Sequence, residues 1–277
     1  MPTCSLLAIG NELLNGEIRD LNLYTLSQRL TRLGFYVSQA VVVRDSPASI
    51  GSGLSYLLAS KPDVLLCSGG LGPTGDDLTL QSLAQYLGRD LVQNAEARLM
   101  VETQYDQLMA AGYLEQRGPV AAREKMARLP EGARPLPNPV GTAPAVCVEV
   151  HDTTIYVLPG VPAELDAIFE ASIVPELRQR FSLGFWAHAA LRVFVDDEAD
   201  VAGPLKQATT LHPDVYLKSL AQPFPAAGRE GLRVIASINA ASDRLAWQAV
   251  HDALADLGAA LQAAGLRYTH DEDAPVP

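Results

Sequence analysis

Between Ser68 and Asp77 the chain reads Ser-Gly-Gly-Leu-Gly-Pro-Thr-Gly-Asp-Asp, a turn whose residue types suit the holding of phosphate oxygens. Gly69, Gly70 and Gly72 fall within four residues, so backbone amides there can approach a ligand with no Cβ in the way. Thr74 adds a hydroxyl to the same turn. The Gly-Lys-Ser/Thr ending of a Walker motif is missing, and the spacing is not that of the Gly-x-Gly-x-x-Gly dinucleotide fingerprint. Asp76 and Asp77 stand where a basic residue would be expected. Carboxylates beside a phosphate cradle repel the ligand unless a cation lies between them, and a divalent ion of the Mg²⁺, Mn²⁺ or Co²⁺ type resolves the conflict. Asp45 and Glu12 follow two other apolar runs, so carboxylates from separate turns can meet around one ion. The competing structural reading makes Asp76 or Asp77 an N-cap of the next helix, worth about 0.5–2 kcal/mol.

A second candidate segment is Leu136-Pro-Asn-Pro-Val-Gly-Thr-Ala-Pro144, too rich in proline for regular structure. It reads either as a rigid crossover or as a wall of the ligand site, with Asn138 and Thr142 offering hydrogen bonds and Gly141 permitting close approach. Pro159-Gly160-Val161-Pro162 reads as an ordinary helix start. Arg123 and Lys125 are expected on a solvated basic helix face, with neutralisation of a ligand phosphate as the alternative. The five histidines show no i,i+4 pairing, and Cys4, Cys67 and Cys147 have no C-x-x-C spacing, so buried free thiols are expected rather than a zinc or redox centre.

The elements that must position these residues are legible in the apolar periodicity. Thr3–Ile9 reads as a strand, Leu23, Leu26, Leu30 and Leu33 as a helix face, and Phe35–Val43 as a second strand. Ser46 and Pro47 open the next helix, Asp63–Cys67 is a third strand, and Leu78–Leu87 is a helix stopped by Gly88. Helical character over Ala95–Met126 is interrupted near Gly112 and Gly118-Pro119, strands follow at Ala145–Val150 and Thr154–Leu158, and a helix runs from Ala163 to Phe181. Alternating helices and fully apolar strands imply an α/β fold with a mostly parallel sheet covered on both faces, where ligands gather at the strands' carboxyl ends. Residues 1–183 are expected to form this unit. Residues 188–268, with strands at Leu191–Val195, Val215–Leu220 and Leu232–Ala240 and helices at Asp200–Thr210 and Asp243–Ala264, are expected to form a small α+β domain. Residues 269–277 read as a frayed tail.

The formal net charge of −11 repels a phosphate backbone, so nucleic acid is not an expected partner. No apolar run reaches the roughly 18 to 20 residues of a membrane span, and the first ten residues read as a strand rather than a signal peptide. A cytoplasmic protein without membrane attachment is the expectation.

Taken together, Gly10-Asn11-Glu12-Leu13-Leu14-Asn15-Gly16, Asn22, Gly69 through Thr79, Asn138 through Pro144, and Leu158-Pro-Gly-Val-Pro-Ala-Glu164 resemble, in order, the N-terminal domain of the CinA family within the MoaB/Mog-like molybdopterin-binding superfamily. The resemblance spans about residues 3–180 and continues more weakly through Tyr216-Leu217-Lys218-Ser219. It implies a three-layer α/β fold, a homodimer, and a crevice for a pterin or adenine-nucleotide ligand. Asp77 and Asp45 match the aspartates that serve the ligand and metal site of Mog-like relatives; Asn11, Glu12, Gly69, Gly70, Gly72, Thr74, Asn138, Gly141 and Thr142 become the expected ligand contacts, and Asp76 joins Asp77 and Asp45 as a candidate catalytic residue. It also implies metal-assisted hydrolysis of ADP-ribose at its pyrophosphate. The deamidase domain of longer CinA proteins is not expected after residue 268. Arg44, Ala145 and Arg123-Glu124-Lys125-Met126 depart from the family pattern. The expected activity is thus a metal-dependent nucleotide-diphosphate hydrolase. The alternatives are molybdopterin binding or adenylyl transfer without hydrolysis, and a non-enzymatic interaction domain.

Overall fold

A computed structural model describes residues 1–221 and 231–271. The chain divides into one unit of Met1–Thr31 with Phe35–Ser182, and a second from Leu183 onward with which Arg32–Gly34 are grouped.

In the first unit, β1 (Thr3–Ile9), β2 (Tyr36–Val43), β3 (Val64–Ser68) and β8 (Thr153–Leu158) are parallel, and β7 (Ala145–Val150) and β6 (Arg134–Leu136) extend the sheet antiparallel, giving the order β2-β1-β3-β8-β7-β6. Every residue of β3 and β8 is buried, as a strand covered on both faces requires. One cover comes from α3 (Pro47–Leu58), α4 (Thr79–Leu87) and α5 (Ala95–Ala110), whose Ile50, Leu54, Leu57, Leu80, Leu83 and Val101 pack with Leu7, Ile9, Leu65 and Cys67. Leu6, Ala8 and Leu66, one residue out of phase, are buried on the other face. There α2 (Asn22–Leu33) and α7 (Pro162–Ile168) are tied together by Arg29, which pairs with Asp166 at 3.4 Å and Glu170 at 2.6 Å. Local signals act as the sequence requires. Ser46 caps α3 by accepting from the Ser49 N–H at 3.3 Å, and Gly88 ends α4 in the left-handed region.

The strand register has a direct consequence for function. Ile9 lies beside Val43, Ala8 beside Ser68, and Ser68 beside Leu158, so four parallel strands end in one row. The turns that begin at Gly10, Arg44, Gly69 and Pro159 therefore open along a single edge of the sheet.

Three features differ from the expected elements. The helix foreseen over Ala163–Phe181 is α7, a π turn at Phe169–Ile173, and α8 (Val174–Arg180). Pro175 explains the break, since it lacks an N–H and its ring would press on the carbonyl one α-turn back; a widened turn relieves both. A short pair, β4 (Leu91–Gln93) with β5 (Arg128–Pro130), flanks α5 and α6 (Val120–Met126). Asp76 and Asp77 do not cap α4, whose N-cap is Leu78 with no side-chain bond.

The second unit is an antiparallel sheet, β10-β11-β9-β12, formed by β9 (Phe185–Phe194), β10 (Tyr216–Leu220), β11 (Leu232–Ala240) and β12 (Arg267–His270), with α9 (Ala202–Leu211) and α10 (Asp243–Ala263). Leu191, Val193, Val234 and Ala236 pack with Val250, Leu254, Leu257 and Leu261 of α10. β9 begins at Phe185, earlier than its apolar signal, because β11 pairs with it from Ala240–Phe185 to Leu232–Val193. Of the expected tail, residues 272–277 lie outside the described residues, while Thr269 and His270 belong to β12. Among the described residues no helix is long and apolar enough to cross a membrane.

Beyond β12, Asp271 is held by a backbone bond to the Ala190 carbonyl at 3.0 Å. Its buried carboxylate accepts from Arg192 Nε at 2.8 Å and Arg233 Nε at 2.6 Å. Burial alone raises its pKa, but the two guanidinium bonds outweigh burial and hold it below the ordinary value of 3.8. A carboxyl with a depressed folded pKa stabilises the fold above its unfolded pKa, and the contribution is lost as pH falls through the folded value. Asp271→Asn is expected to cost about 1–3 kcal/mol at pH 7. In urea titrations the gap from the parent should close below about pH 4; equal midpoints at pH 7 would contradict the assigned role.

Candidate functional site

The row of strand ends frames a crevice of about 370 Å³. Asp45, Glu12, Gly69, Gly70, Gly72, Asp76, Asp77 and Thr142, all singled out in the sequence, line it together with Leu71, Met126, Gly160 and Glu164.

The glycine turn is shaped by its neighbours. Gly69 leaves β3 at φ +105° and donates to the Leu158 carbonyl at 3.0 Å, and a Cβ there would collide with the Ile9 carbonyl. Gly70 continues at φ +67°, where a Cβ would meet the Thr79 hydroxyl. Only glycine satisfies both positions. Thr79 fastens the turn to α4, its hydroxyl donating to the Gly69 carbonyl at 2.8 Å and its N–H to that of Gly70 at 3.3 Å. The N–H groups of Gly70, Leu71 and Gly72 have no partner among the described residues, which leaves donors along the crevice wall.

Lys125 holds the same turn through its carbonyls. Its ammonium donates to the carbonyls of Gly72 at 2.9 Å, Thr74 at 2.6 Å and Asp77 at 2.8 Å. Burial lowers its pKa, and Asp77 and Asp76 oppose that shift. The expected solvated basic face is therefore corrected: three converging carbonyls need a compact triple donor, and an ammonium supplies one. Arg123 is not solvated either, since it bonds Glu102 at 3.0 Å and lies over the Tyr105 ring.

The carboxylates come from three turns. Asp45 Oδ2 accepts from the Asn11 N–H at 2.8 Å, so Asn11 positions Asp45 through its backbone and does not line the crevice. Desolvation raises the Asp45 pKa; the Asn11 bond opposes this, and the charges of Glu12, Asp76 and Asp77 add to it. Asp77 Oδ2 accepts from the Thr74 N–H at 2.9 Å and the Thr74 hydroxyl at 2.6 Å, while Asp76 Oδ1 lies 2.5 Å from that hydroxyl. The Thr74 hydrogen bond, followed by the Asp76 N–H, lowers the Asp76 pKa. Thr74 has one hydroxyl proton for two carboxylates, so it organises the turn rather than lining the crevice.

A divalent cation would suit this charge pattern, because a positive ion would offset the repulsion that Glu12, Asp76 and Asp77 add to the desolvation of Asp45. Among the described residues no three His, Cys, Asp or Glu side chains form a ready cage. Asp45 and Asp77 would leave the remaining positions to phosphate oxygens and water, the usual way Mg²⁺ is held.

Asn138 has a different position from the ligand wall expected of it. Its side chain donates to the Ala143 carbonyl at 2.8 Å and to Glu164 at 2.6 Å, and accepts from the N–H groups of Val140 and Gly141. Gly141 lies against the Glu164 carboxylate, where a Cβ would collide, and Asn138 and Gly141 face another cavity beside α5. Glu164 itself lines the crevice, and sequence reasoning did not single it out, although it closes the Pro-Gly-Val-Pro-Ala-Glu segment. The three cysteines are buried free thiols; burial pushes Cys4 and Cys67 up to about 12 and Cys147 to about 11.

A family profile described as a probable molybdopterin binding domain matches residues 5–179. A protein of Pyrobaculum calidifontis is 40% identical over 220 residues, covering 79% of this chain and 80% of the relative. One of Thermococcus kodakarensis is 38% identical over 202 residues, covering 73% and 79%. In structure the chain is similar to the protein CinA of Thermoplasma acidophilum, described as of unknown function, with 35% identity and a TM-score of 0.55 over 61% of this chain and 94% of that one. The chain belongs to the family of probable molybdopterin-binding domains and is CinA-like within it.

Proposed function

We propose that the crevice binds a small phosphorylated ligand of nucleotide or pterin type, and that its reaction is hydrolysis of a nucleotide diphosphate such as ADP-ribose at the pyrophosphate. The observation that carries this reading is the meeting of unpartnered amides at Gly70, Leu71 and Gly72 with carboxylates from three separate turns. Amide donors suit phosphate oxygens, and the carboxylates exclude a bare anion unless a cation accompanies it.

In this reading the amides hold the diphosphate while Asp45 and Asp77 would hold a divalent ion. When bound, such an ion supplies charge neutralisation and a more acidic water. The Asn11 N–H fixes Asp45, and the Thr74 bonds fix Asp77. Water adds to one phosphorus, the bridging P–O bond breaks, and AMP and ribose 5-phosphate leave as a proton passes to solvent. A second reading, pterin binding or adenylyl transfer without hydrolysis, is favoured by the family assignment.

AMP release from ADP-ribose with Mg²⁺, Mn²⁺ or Co²⁺ separates the two. Asp77→Ala and Asp45→Ala are each expected to lose about 100-fold or more in kcat/KM. Full activity in Asp77→Ala sinks the hydrolase assignment, and tight pterin binding with no turnover of any diphosphate replaces it with the second reading.

Lys125 generates a separate expectation. Lys125→Met leaves three carbonyls without their common donor, at a local cost of about 1–3 kcal/mol. Amide exchange across residues 72–77 should quicken while that of β1 and β3 is unchanged. Unaltered exchange in the turn would contradict the holding role.

A further inference from the structure

Glu164 of α7 brings one more carboxylate to the crevice, and it is held there differently from the aspartates of the other turns. Asn138 sets its position. The buried Asn138 amide makes three hydrogen bonds within its own loop and donates one more to Glu164 Oε2 at 2.6 Å. Gly141 lies so close to the same carboxylate that a Cβ would collide with it. The other oxygen, Oε1, accepts from no donor among the described residues, and no lysine or arginine among them pairs with it, although the side chain lines the crevice. An ionised carboxylate only accepts, so whatever meets Oε1 must bring a proton.

Strand order separates Glu164 from the carboxylate at Asp45. Asp45 follows β2 and Glu164 follows β8, and the ends of β1 and β3 lie between them in the row β2-β1-β3-β8. A phosphate on the amides of the glycine turn, which follows β3, therefore has Asp45 towards one end of the row and Glu164 towards the other. A bound diphosphate offers Oε1 no proton, and a phosphate touching the carboxylate is repelled. Water between the two resolves both difficulties. It donates to Oε1, and it is the reactant that hydrolysis requires.

We infer that Glu164 is the general base of the crevice, taking a proton from the attacking water through Oε1, and that Asn138 is its positioning residue. The inference rests on the hydrolase reading above. In the step it assigns, the water oxygen bonds to one phosphorus as its proton passes to Oε1. The bridging P–O bond breaks with its electron pair on the departing phosphate, and Glu164 then releases the proton to solvent. A positioned base of this kind contributes about 10²–10⁴-fold in rate.

The test uses the full chain with ADP-ribose and Mg²⁺. Glu164→Gln keeps the shape of the side chain and an acceptor for Asn138, so its kcat is expected to fall about 100-fold or more while Kd for ADP-ribose stays within about threefold of the parent's. Glu164→Ala is expected to regain rate on addition of formate, which supplies a carboxylate in the space vacated. A side chain that only supports the fold gives no such rescue. Asn138→Asp keeps the acceptor for Val140 and Gly141 but removes the donor to Glu164, and is expected to lower kcat with KM unchanged. Full kcat in Glu164→Gln, or no response of Glu164→Ala to formate, overturns the base and leaves the hydrolase reading standing. Weakened ADP-ribose binding with kcat retained in Glu164→Gln also overturns it, and makes Glu164 a contact for a ligand hydroxyl. Parental kcat in Asn138→Asp overturns the positioning role. A parent that binds ADP-ribose with Mg²⁺ yet cleaves no diphosphate overturns the hydrolase reading and the base with it.

Discussion

At the end of β3 the backbone passes so close to the Ile9 carbonyl that residue 69 has no room for a side chain. Much of the site follows from that approach. It is possible because β1 and β3 are paired in parallel with Ala8 beside Ser68, and it forces the chain into positive φ at Gly69 and Gly70. A chain turned in this way leaves several amides unpaired, while Thr79 and Lys125 gather its carbonyls. Amides and carbonyls of one short segment are thereby separated. A donor-lined wall results without a basic side chain of the Walker kind.

Electrostatics sets the second constraint. The chain carries a net charge of −11, and the crevice adds Asp45, Glu12, Asp76 and Asp77 within mutual influence. Hydrogen bonds from Asn11 and Thr74 orient two of these carboxylates without cancelling their charge. Lys125 lies close enough to act on Asp76, yet its three donors are engaged by carbonyls. In the proposed reading this balance is why the ligand would arrive with a cation rather than as a free anion.

Much of this was legible in the sequence because it is local. The apolar runs of β1, β2 and β3, the cap at Ser46 and the stop at Gly88 each follow from a few neighbouring residues, and the polar turns after those strands were recognisable as one edge. What escaped depends on partners distant in sequence. Lys125 reads as one more surface lysine until residues 72–77 fold over it, and Asn138 reads as a ligand contact until its own loop and Glu164 satisfy it. The early start of β9 was hidden because Ala187, Ala189 and Ala190 give little alternation, whereas pairing with β11 settles it. The carboxylates of Asp76 and Asp77 turn back to Thr74 instead of forward to α4, a choice that spacing alone does not decide.

The central claim is that phosphate enters this crevice together with a cation. Equilibrium binding of ADP-ribose to the full chain, with Mg²⁺ and with chelator, tests it most directly. The account predicts at least about tenfold tighter binding with Mg²⁺, about 1.4 kcal/mol. Binding that is equally tight in chelator would contradict it.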